Sequence, residues 1–542
     1  MFRHTISRTV VLGAICFLAL TPFFWLGNPS GHDFEFHTFS WMEVLAQWKQ
    51  GIVYPRWAAL AHWGYGEARF LFYPPASWTL GAVLGAMLPW KMVPGVYCWI
   101  ALTLSGLSMY RLAREWLPPP DALFAAALYA VNPYHLVIVY WRSAFAELLA
   151  AALLPLLLVC VLRLKEPGFR PVLWLGMILA ASWLTNAPAA VMIHYSLAGL
   201  TVLLAALDRS WRPLTRAALA IVLGAGLASF YLIPAAFEEK WVNIAEVLAP
   251  GVRPQDNFLL THIPDPEHNR FNLLLSTVAV AEIGVVVLAI WFSRTWRSRR
   301  RELWTLLAGW AAVSALIMLP ITNLLWQHLP KLRFVQLPWR WLLCLNVAAA
   351  ILLTIALRRW SARVLVSAAL LAVVVIAGYR IQPPWWDSAS DIREMSDAIY
   401  IGAGYEGTDE YVPFGADPYE LDKDLSRVTD SSGAPQRTEV LQWGPVDKHL
   451  VVHTRGAELL TLRLFNYPAW EVIVNGKRVE TQTTEVTGQM EIPIATGRND
   501  VHIRFGRTRD RTIGDLVSLV SLGALLAAWI ATRPKAQALQ PT

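Results

Sequence analysis

The first long apolar stretch of the chain is VVLGAICFLALTPFFWL, residues 10–26. The polar stretch SGHDFEFH follows at residues 30–37. An apolar run of this length is long enough to cross the ~30 Å hydrocarbon core of a bilayer. Basic residues precede it, as in a secretory signal peptide, but no Ala-x-Ala cleavage pattern follows and further apolar runs do. We therefore expect this stretch to be the first transmembrane helix.

The composition of the whole chain favours a membrane protein. Of its 542 residues, 56% are hydrophobic and 16% are charged, whereas soluble domains are roughly half apolar and a quarter charged. Apolar runs recur over residues 10–371, and a last one lies at 513–532. We expect about twelve spans, which makes the fold class a polytopic α-helical membrane protein.

The basic residues predict the orientation, because loops rich in Lys and Arg stay in the cytoplasm. The clusters all fall on one side only if residues 74–90, a short stretch rich in Pro, Gly and Ala, lie at the outer interface without spanning. Both chain termini are then cytoplasmic, and the net charge of +7 requires no nucleic acid. The clusters contain Arg3, Arg8, Arg111, Arg114, Arg163, Lys165, Arg170, Arg209, Arg212, Arg216, Arg294 with the arginines up to Arg301, Arg358, Arg359, Arg363, Arg533 and Lys535.

The connections divide the chain into three parts. Residues 1–380 form a transmembrane module with interfacial helices in its first outer loop, 27–97. Residues 381–511 form an extracytoplasmic domain, and 512–542 form a final transmembrane helix with a cytoplasmic tail. Apolar runs flank Asn475-Gly476 in the outer domain, which is the strongest short signal for a β-hairpin. Further strand patterns at 489–494 and 500–505 predict a β-sandwich that begins near residue 440.

Three ionisable residues follow the first helix, where water meets lipid. Asp33 and His37 share one face of a helix, and Glu35 joins them on one face of a strand. Either conformation presents a carboxylate at the interface. Ser30 and Asp33 also form a capping-box pattern, in which Asp33 only caps a helix. The sequence leaves both interpretations open.

Glu147 begins a helix that the charge pattern places on the same side as Asp33. The helix dipole favours a carboxylate near a helix N-terminus. Ionisable residues that border an apolar span are costly, however, so Arg142 and Glu147 together form a functional hypothesis. A general base for a hydroxyl group, or a ligand for a hard divalent cation, requires this residue type.

A cationic stretch precedes a later span and is a candidate phosphate site. Lys331, Arg333 and Arg340 stand beside aromatic residues there. Guanidinium groups match phosphate oxygens, and Trp favours the lipid headgroup level, so the stretch suits a polyprenyl phosphate or a phospholipid. Simple interfacial anchoring explains the same composition. The sequence has no P-loop, nucleophile elbow or His-Glu-x-x-His motif, so a group transfer on the outer side needs a donor delivered by the membrane.

Several motifs resemble those of a known family. Over most of its length the chain resembles the bacterial membrane family labelled 6-pyruvoyl-tetrahydropterin synthase-related, which in turn is similar to GT-C glycosyltransferases. The motifs are Gly31-His32-Asp33 with His37, Tyr54-Pro55-Arg56-Trp57, Gly64-Tyr65-Gly66, Phe72-Tyr73-Pro74-Pro75, Arg142-Ser143-Ala144-Phe145-Ala146-Glu147, Gln336-Leu337-Pro338-Trp339-Arg340 and Glu410-Tyr411-Val412-Pro413.

This resemblance implies a GT-C-like module in the bacterial inner membrane. The implied reaction is the inverting transfer of a sugar from a polyprenyl-phosphate donor to an outer glycan, lipid or protein. Asp33 would be the base, or with Glu147 a ligand of Mg²⁺ or Mn²⁺, and His37 would support it. Lys331, Arg333 and Arg340 would hold the donor phosphate. Further substrate contacts would come from Glu35, Arg56, Tyr73, Arg142, Glu410 and Tyr411.

Two other functions remain as alternatives. A transporter or flippase of lipid-linked glycans should show internal repeats and charged or broken helices near mid-membrane, whereas the ionisable residues here concentrate at span ends. A non-catalytic scaffold whose β-sandwich binds glycan would leave the Asp33 region without a cavity. The transferase hypothesis predicts that Asp33 and Glu147 lie on the outer surface, around one cavity between the interfacial helices and the loop near Arg340.

Overall fold

The computed structural model describes residues 2–298 and 300–532, with side chains described from residue 8 onward. The side chain of Arg3, all of Arg299, and Arg533 and Lys535 of the predicted cytoplasmic tail lie outside the described residues.

The first part of the chain contains three longer helices and three short ones. Its helices are α1 (Phe2–Ala19), α2 (Phe23–Leu26), α3 (Phe34–Lys49), α4 (Ala61–Gly64), α5 (Arg69–Phe72) and α6 (Pro75–Met87). The longer ones are α1, α3 and α6.

The central part of the chain forms the helical bundle. Its helices are α7 (Val93–Ala113), α8 (Pro119–Ala130), α9 (Pro133–Val137), α10 (Phe145–Ala151), α11 (Leu153–Arg163), α12 (Arg170–Thr185), α13 (Ala187–Asp208), α14 (Arg212–Leu227), α15 (Ser229–Glu238), α16 (Pro266–Phe292), α17 (Arg301–Ile317), α18 (Asn323–His328), α19 (Leu342–Ala356) and α20 (Trp360–Arg380). The last two helices are α21 (Ala389–Ile401), which precedes the β-sandwich, and α22 (Arg509–Ala531), which follows it.

The helical bundle confirms the membrane-protein fold class. Within the described residues, eight helical segments are long and apolar enough to cross a membrane. The number rises to ten if each of two bent helix pairs counts as one span. The bent pairs are α14 with α15 and α17 with α18, with bends of 77° and 90°. Two shorter apolar helices, Arg8–Ala19 and Arg170–Thr185, accompany them. The total of twelve spans stays a prediction.

The stretch expected not to span is the short helix α6. Its 13 residues reach only about 20 Å, less than the ~30 Å of a hydrocarbon core. It packs directly on α3, because a Cβ added at Gly81 would lie 2.1 Å from the Trp41 ring. The two helices therefore form one closely packed layer.

The C-terminal strands form two stacked antiparallel sheets. Four strands pair in the order β3-β6-β10-β9, and five pair in the order β4-β5-β11-β7-β8. Leu450, Leu462, Ile492 and Val501 are buried between them. The strands are β3 (Val428–Asp430), β4 (Thr438–Trp443), β5 (Asp447–Thr454), β6 (Glu458–Phe465), β7 (Trp470–Val474), β8 (Lys477–Val479), β9 (Gln482–Thr483), β10 (Gln489–Ile494) and β11 (Gly497–Phe505), after the short β1 (Asn28–Pro29) and β2 (Trp386–Asp387).

The predicted hairpin is confirmed in type and position. Strands β7 and β8 pair across Asn475-Gly476, whose φ angles are 50° and 79°. Two positive φ values in a two-residue loop are the geometry that Asn-Gly supplies most readily.

A buried ion pair joins the sandwich to the bundle. Arg511 at the start of α22 bonds both carboxylate oxygens of Glu238 at the end of α15, at 2.8 Å each. The hydroxyl of Tyr467, in the sandwich, donates to the same carboxylate at 2.6 Å. We call these three residues the junction clasp.

Candidate active site

The loop that carries Asp33 is fixed against the segment that precedes Glu147. The backbone N–H of Gly31 donates to Ser143 Oγ at 3.0 Å, and that hydroxyl donates to the Pro29 carbonyl at 2.8 Å. The Asp33 N–H donates to the Arg142 carbonyl at 2.9 Å. A Cβ at Gly31 would lie 2.3 Å from the Trp141 carbonyl oxygen, so only glycine permits this approach.

The side chain of Asp33 does not cap a helix. Helix α3 begins at Phe34, and Asp33 at its N-cap position makes no side-chain hydrogen bond to the helix. The predicted capping box is therefore wrong. The carboxylate is 38% exposed and lies 3.6 Å from Nη2 of the buried Arg142. It is an accessible anion with one adjacent cation.

Glu147 has a different environment, buried at the start of α10. Its Oε2 accepts from Arg142 at 2.5 Å and from Arg340 at 3.0 Å, and the Tyr134 hydroxyl donates to Oε1 at 2.6 Å. The side chain is 1% exposed. Its carboxylate therefore holds two guanidinium groups in place, and the Arg142 group also faces Asp33.

The local backbone explains why these side chains converge. A π-helical turn covers Ile138–Arg142, and Ser143 has φ of 50°, which ends the turn and starts α10 two residues later. Arg340 lies in the short helix Pro338–Trp341 and also donates to the Val335 carbonyl at 2.7 Å. The Arg142 guanidinium covers the Trp339 ring at 4.8 Å. We call Asp33, Arg142, Glu147, Arg340 and Tyr134 the arginine cluster.

His37 and Tyr73 lie beside the cluster. Burial lowers the pKa of His37 to about 4, so the imidazole is neutral at neutral pH. Its Nε2 lies 3.5 Å from the Tyr73 hydroxyl. Burial raises the pKa of Tyr73 well above its usual range, and the charge of Asp33 raises it further. Both side chains are therefore neutral hydrogen-bonding groups next to Asp33.

Glu35 points away from this group, toward Asp387 and Glu406. It is exposed, and its pKa is raised by partial burial and by the carboxylates of Asp387 and Glu406. The structure places it on another face of α3 than His37.

The arrangement does not suit the predicted divalent cation between Asp33 and Glu147. The positive Arg142 side chain contacts both carboxylates, and the oxygens of Glu147 already accept three hydrogen bonds. A dication here would meet a guanidinium group at close range. An ion held by both carboxylates would require Arg142 to move, and the Mg²⁺ or Mn²⁺ site stays a prediction.

Two of the predicted phosphate-binding residues lie outside the cluster. Arg333 is exposed and covers the Phe334 ring, and Lys331 is exposed and pairs with Glu239 at 3.4 Å. Arg340 alone of the three contacts Glu147.

The remaining predicted contacts divide between two places. Arg56 covers the Tyr54 ring at 4.9 Å and lines a separate cavity near Arg511. The Tyr411 ring stacks on Phe72 at 5.8 Å, one residue before Tyr73. Burial raises the pKa of Glu410 to about 7. Tyr411 therefore reaches the edge of the Tyr73 region, whereas Arg56 lies elsewhere.

A second buried network was not predicted from the sequence. Glu67 forms an ion pair with Arg69 at 2.5 Å, and His62 Nε2 lies 3.0 Å from Glu67 Oε2. The Thr408 N–H donates to the same carboxylate at 2.8 Å. The Tyr405 hydroxyl donates to the buried Glu43 at 2.6 Å. The available signal was the pair Glu67 and Arg69, two opposite charges close together in a mostly apolar stretch.

The sequence matches the model of one protein family. The model of the 6-pyruvoyl-tetrahydropterin synthase related domain, described as a membrane protein, matches residues 70–383, which is more than half of the chain. No curated protein matches the sequence.

Solved structures with a similar arrangement are GT-C glycosyltransferases. ArnT from Cupriavidus metallidurans, solved with undecaprenyl phosphate, is 13% identical, with 73% of this chain and 69% of ArnT covered and a TM-score of 0.47. The oligosaccharyltransferase of Archaeoglobus fulgidus is 15% identical, with 75% and 56% covered and a TM-score of 0.42. The arabinofuranosyltransferase AftD from Mycobacteria is 15% identical, with 74% and 27% covered and a TM-score of 0.37.

This chain spans little more than half of the archaeal enzyme's length. The match over residues 70–383 establishes the family. The chain belongs to the family of 6-pyruvoyl-tetrahydropterin synthase related membrane proteins.

Proposed function

We propose that this protein is a membrane glycosyltransferase that moves a sugar from a polyprenyl-phosphate donor to a hydroxyl group of an acceptor. The observation that carries the proposal is the contrast within the arginine cluster. Asp33 is an accessible carboxylate, while Glu147 beside it is buried and fully engaged with two arginines. One carboxylate is free to exchange a proton, and the other organises positive charge.

The proposed chemistry is a single displacement. The acceptor oxygen attacks C1 of the sugar, its proton passes to Asp33, and the bond between C1 and the phosphate oxygen breaks. Polyprenyl phosphate leaves with the bonding electron pair, and the attack from the opposite face inverts C1. General-base catalysis of this kind contributes roughly 10²- to 10⁴-fold in rate.

Arg142 and Arg340 are the cations we assign to the leaving phosphate. Their guanidinium groups lie at fixed positions because Glu147 binds both, so little reorganisation is needed when negative charge develops. Lys331 and Arg333 are exposed on the loop that leads to Arg340, where they suit a first encounter with an anionic headgroup. His37 and Tyr73 position Asp33 as neutral neighbours.

We place the reaction on the outer side of a bacterial inner membrane, with the termini in the cytoplasm. The basic short loops support this orientation. Asp33 follows β1, which pairs with β2 on the approach to the sandwich, so the cluster and the sandwich lie on one side. The acceptor is then a glycan, lipid or protein of the cell envelope.

The test uses the purified full-length protein in lipid nanodiscs with labelled polyprenyl-phosphate hexoses and an envelope extract as acceptor. Wild type is compared with Asp33→Asn, which keeps the side-chain shape, and with Asp397→Asn, a control at an exposed position of α21. We expect Asp33→Asn to lower release of polyprenyl phosphate by about 10²-fold or more and the control to leave it unchanged.

Two results would count against the proposal. Full turnover by Asp33→Asn would show that Asp33 is not the base. No turnover by folded wild-type protein across a panel of hexose donors would contradict the transferase itself and favour the transport or scaffold alternatives.

A further inference from the structure

The exposed face of the five-stranded sheet carries a cluster of histidine and aspartate that the proposed reaction does not use. His449 on β5 and His502 on β11 are direct partners in the strand register. Asp500 precedes His502 by two residues, so it lies on the same face of β11. Directly opposed residues of an antiparallel pair have Cβ atoms about 5 Å apart, and this spacing lets the three side chains meet.

The three side chains converge on one point. Nε2 of His449 lies 2.9 Å from Asp500 Oδ1, and Nε2 of His502 lies 3.1 Å from the same oxygen. The ring centroids are 3.7 Å apart with the planes inclined by 21°. Zinc bonds of 2.0–2.1 Å in a tetrahedral site separate neighbouring ligand atoms by roughly 3.3 Å. The observed distances are close to those of a metal-ligand set.

The backbone beneath the cluster is fixed on both sides. β5 pairs with β4 as well as β11, and β11 pairs with β7 as well as β5. At Asp500, the backbone N–H donates to Asn475 Oδ1 and the carbonyl accepts from the Asn475 N–H, both at 2.8 Å. The hairpin turn therefore holds the aspartate in register with the histidines. Ligands on rigid strands lose little entropy when an ion binds.

We propose that His449, Asp500 and His502 bind one divalent transition-metal ion of the zinc class. Two imidazoles and one carboxylate are a ligand set typical of zinc, and three protein ligands leave a fourth position for water or another ligand. The side chains are 27%, 35% and 54% exposed for His449, Asp500 and His502, so solvent reaches the site. This inference is independent of the proposed transferase function.

One neighbouring charge opposes the ion. Arg498 lies on the same face, with Nη2 4.0 Å from Asp500 Oδ2, and its repulsion lowers the affinity. Removal of this cation is therefore expected to strengthen binding, whereas removal of a ligand weakens it. The two changes act in opposite directions on the same site, and a nonspecific surface effect would not produce that pattern.

The test measures binding of Zn²⁺ to the full-length protein in detergent. The protein is purified with an affinity tag that contains no histidine, stripped with a chelator, and titrated by calorimetry. Wild type is expected to bind one Zn²⁺ per chain, with affinity about tenfold or more weaker in His449→Ala and in His502→Ala. His453→Ala is the matched control, since His453 is an exposed histidine on the same strand. Arg498→Gln is expected to bind more tightly.

The proposal fails if wild type binds no more tightly than the double variant His449→Ala/His502→Ala. It also fails if His453→Ala weakens binding as much as the ligand substitutions do. Because all the changed side chains are at least partly exposed, unchanged thermal midpoints show that each variant is folded.

Discussion

At the scale of single residues, substitutions of the two carboxylates in the arginine cluster are expected to affect different properties, stability for Glu147 and chemistry for Asp33. Glu147 is enclosed by Arg142, Arg340 and Tyr134. Removal of one member of such a buried group leaves the opposite charges without compensation, which costs more than the pair itself contributes. Asp33 has one cation nearby and is open to solvent, so its substitution affects chemistry more than stability.

We therefore expect Glu147→Gln to destabilise the protein, by on the order of 3–5 kcal/mol. The amide keeps the size of the side chain but leaves the buried Arg340 guanidinium without a carboxylate and Arg142 with only Asp33, at 3.6 Å. Thermal unfolding in detergent measures the effect, and Glu166→Gln, at an exposed position, is the control. A midpoint equal to that of the control would show that the ion pairs contribute nothing to stability.

Glu67 predicts a pH dependence of stability. Burial alone would raise the pKa of its carboxyl group, but Arg69 and His62 lower it from 4.5 to about 2. A depressed acid pKa stabilises the folded state above the unfolded value, and this contribution is lost as pH falls toward 2. The shift corresponds to about 3 kcal/mol. Glu67→Gln should lower the thermal midpoint at pH 7. Between pH 4.5 and 2, the midpoint of this variant should fall less than that of wild type.

The comparison for this prediction is Glu420→Gln, an exposed position, measured over the same pH range. If the thermal midpoint of Glu67→Gln falls with acid as much as that of wild type, other groups cause the loss of stability.

At the scale of elements, the packing of α3 against α6 determines where His37 and Tyr73 lie. Gly81 lets the Trp41 indole lie directly on α6, and Trp41 is one helical turn from His37 on α3. Tyr73 is in the short connection before α6. A shift of α6 therefore moves both neighbours of Asp33.

Gly81→Ala is expected to force the two helices apart. The added methyl group has no space beside Trp41, and overpacking of this kind costs about 1–3 kcal/mol. Donor turnover and the thermal midpoint should both fall. Gly284→Ala is the matched control on the spanning helix α16, where nothing lies within 4 Å of the added atom. Equal behaviour of the two variants would contradict the close packing of α3 on α6.

At the scale of the whole molecule, the junction clasp attaches the sandwich to the bundle. The clasp joins Glu238 of α15 to Tyr467 of the sandwich, 229 residues further along the chain, and to Arg511 of α22, 273 residues further along. Their polar atoms are buried and satisfy one another, so the attachment depends on all three.

Arg511→Met should loosen this attachment, because it leaves the Glu238 carboxylate buried without its cation. We expect faster proteolytic cleavage between the sandwich and α22 and a lower thermal midpoint. Arg478→Met, on the exposed hairpin with a loose 3.5 Å pair to Glu471, should leave both unchanged. Equal protease resistance of Arg511→Met and wild type would show that apolar contacts alone hold the junction.

The sequence by itself determined the features that depend on local pattern and on the solvent. Apolar runs require lipid, so the helical membrane bundle and α22 were predictable. The Asn475-Gly476 hairpin follows from the φ values that these two residues adopt readily. The non-spanning prediction for 74–90 agrees with the length of α6. Asp33, Arg142, Glu147 and Arg340 were each named as candidates. Glu147 was grouped with Arg142 and with Asp33, whereas Arg340 was grouped with Lys331 and Arg333.

Only the tertiary structure decided how these residues meet. Gly31 bonds Ser143 over 112 residues of chain, and Arg340 bonds Glu147 over 193. No periodicity or spacing encodes such distances, because they follow from how the helices pack. The structure also made Glu147 a buried partner of two arginines, separated Arg333 and Lys331 from it, and assembled Glu67 with Arg69. Burial and charge compensation are properties of the folded chain, and they divide the roles among carboxylates that look alike in the sequence.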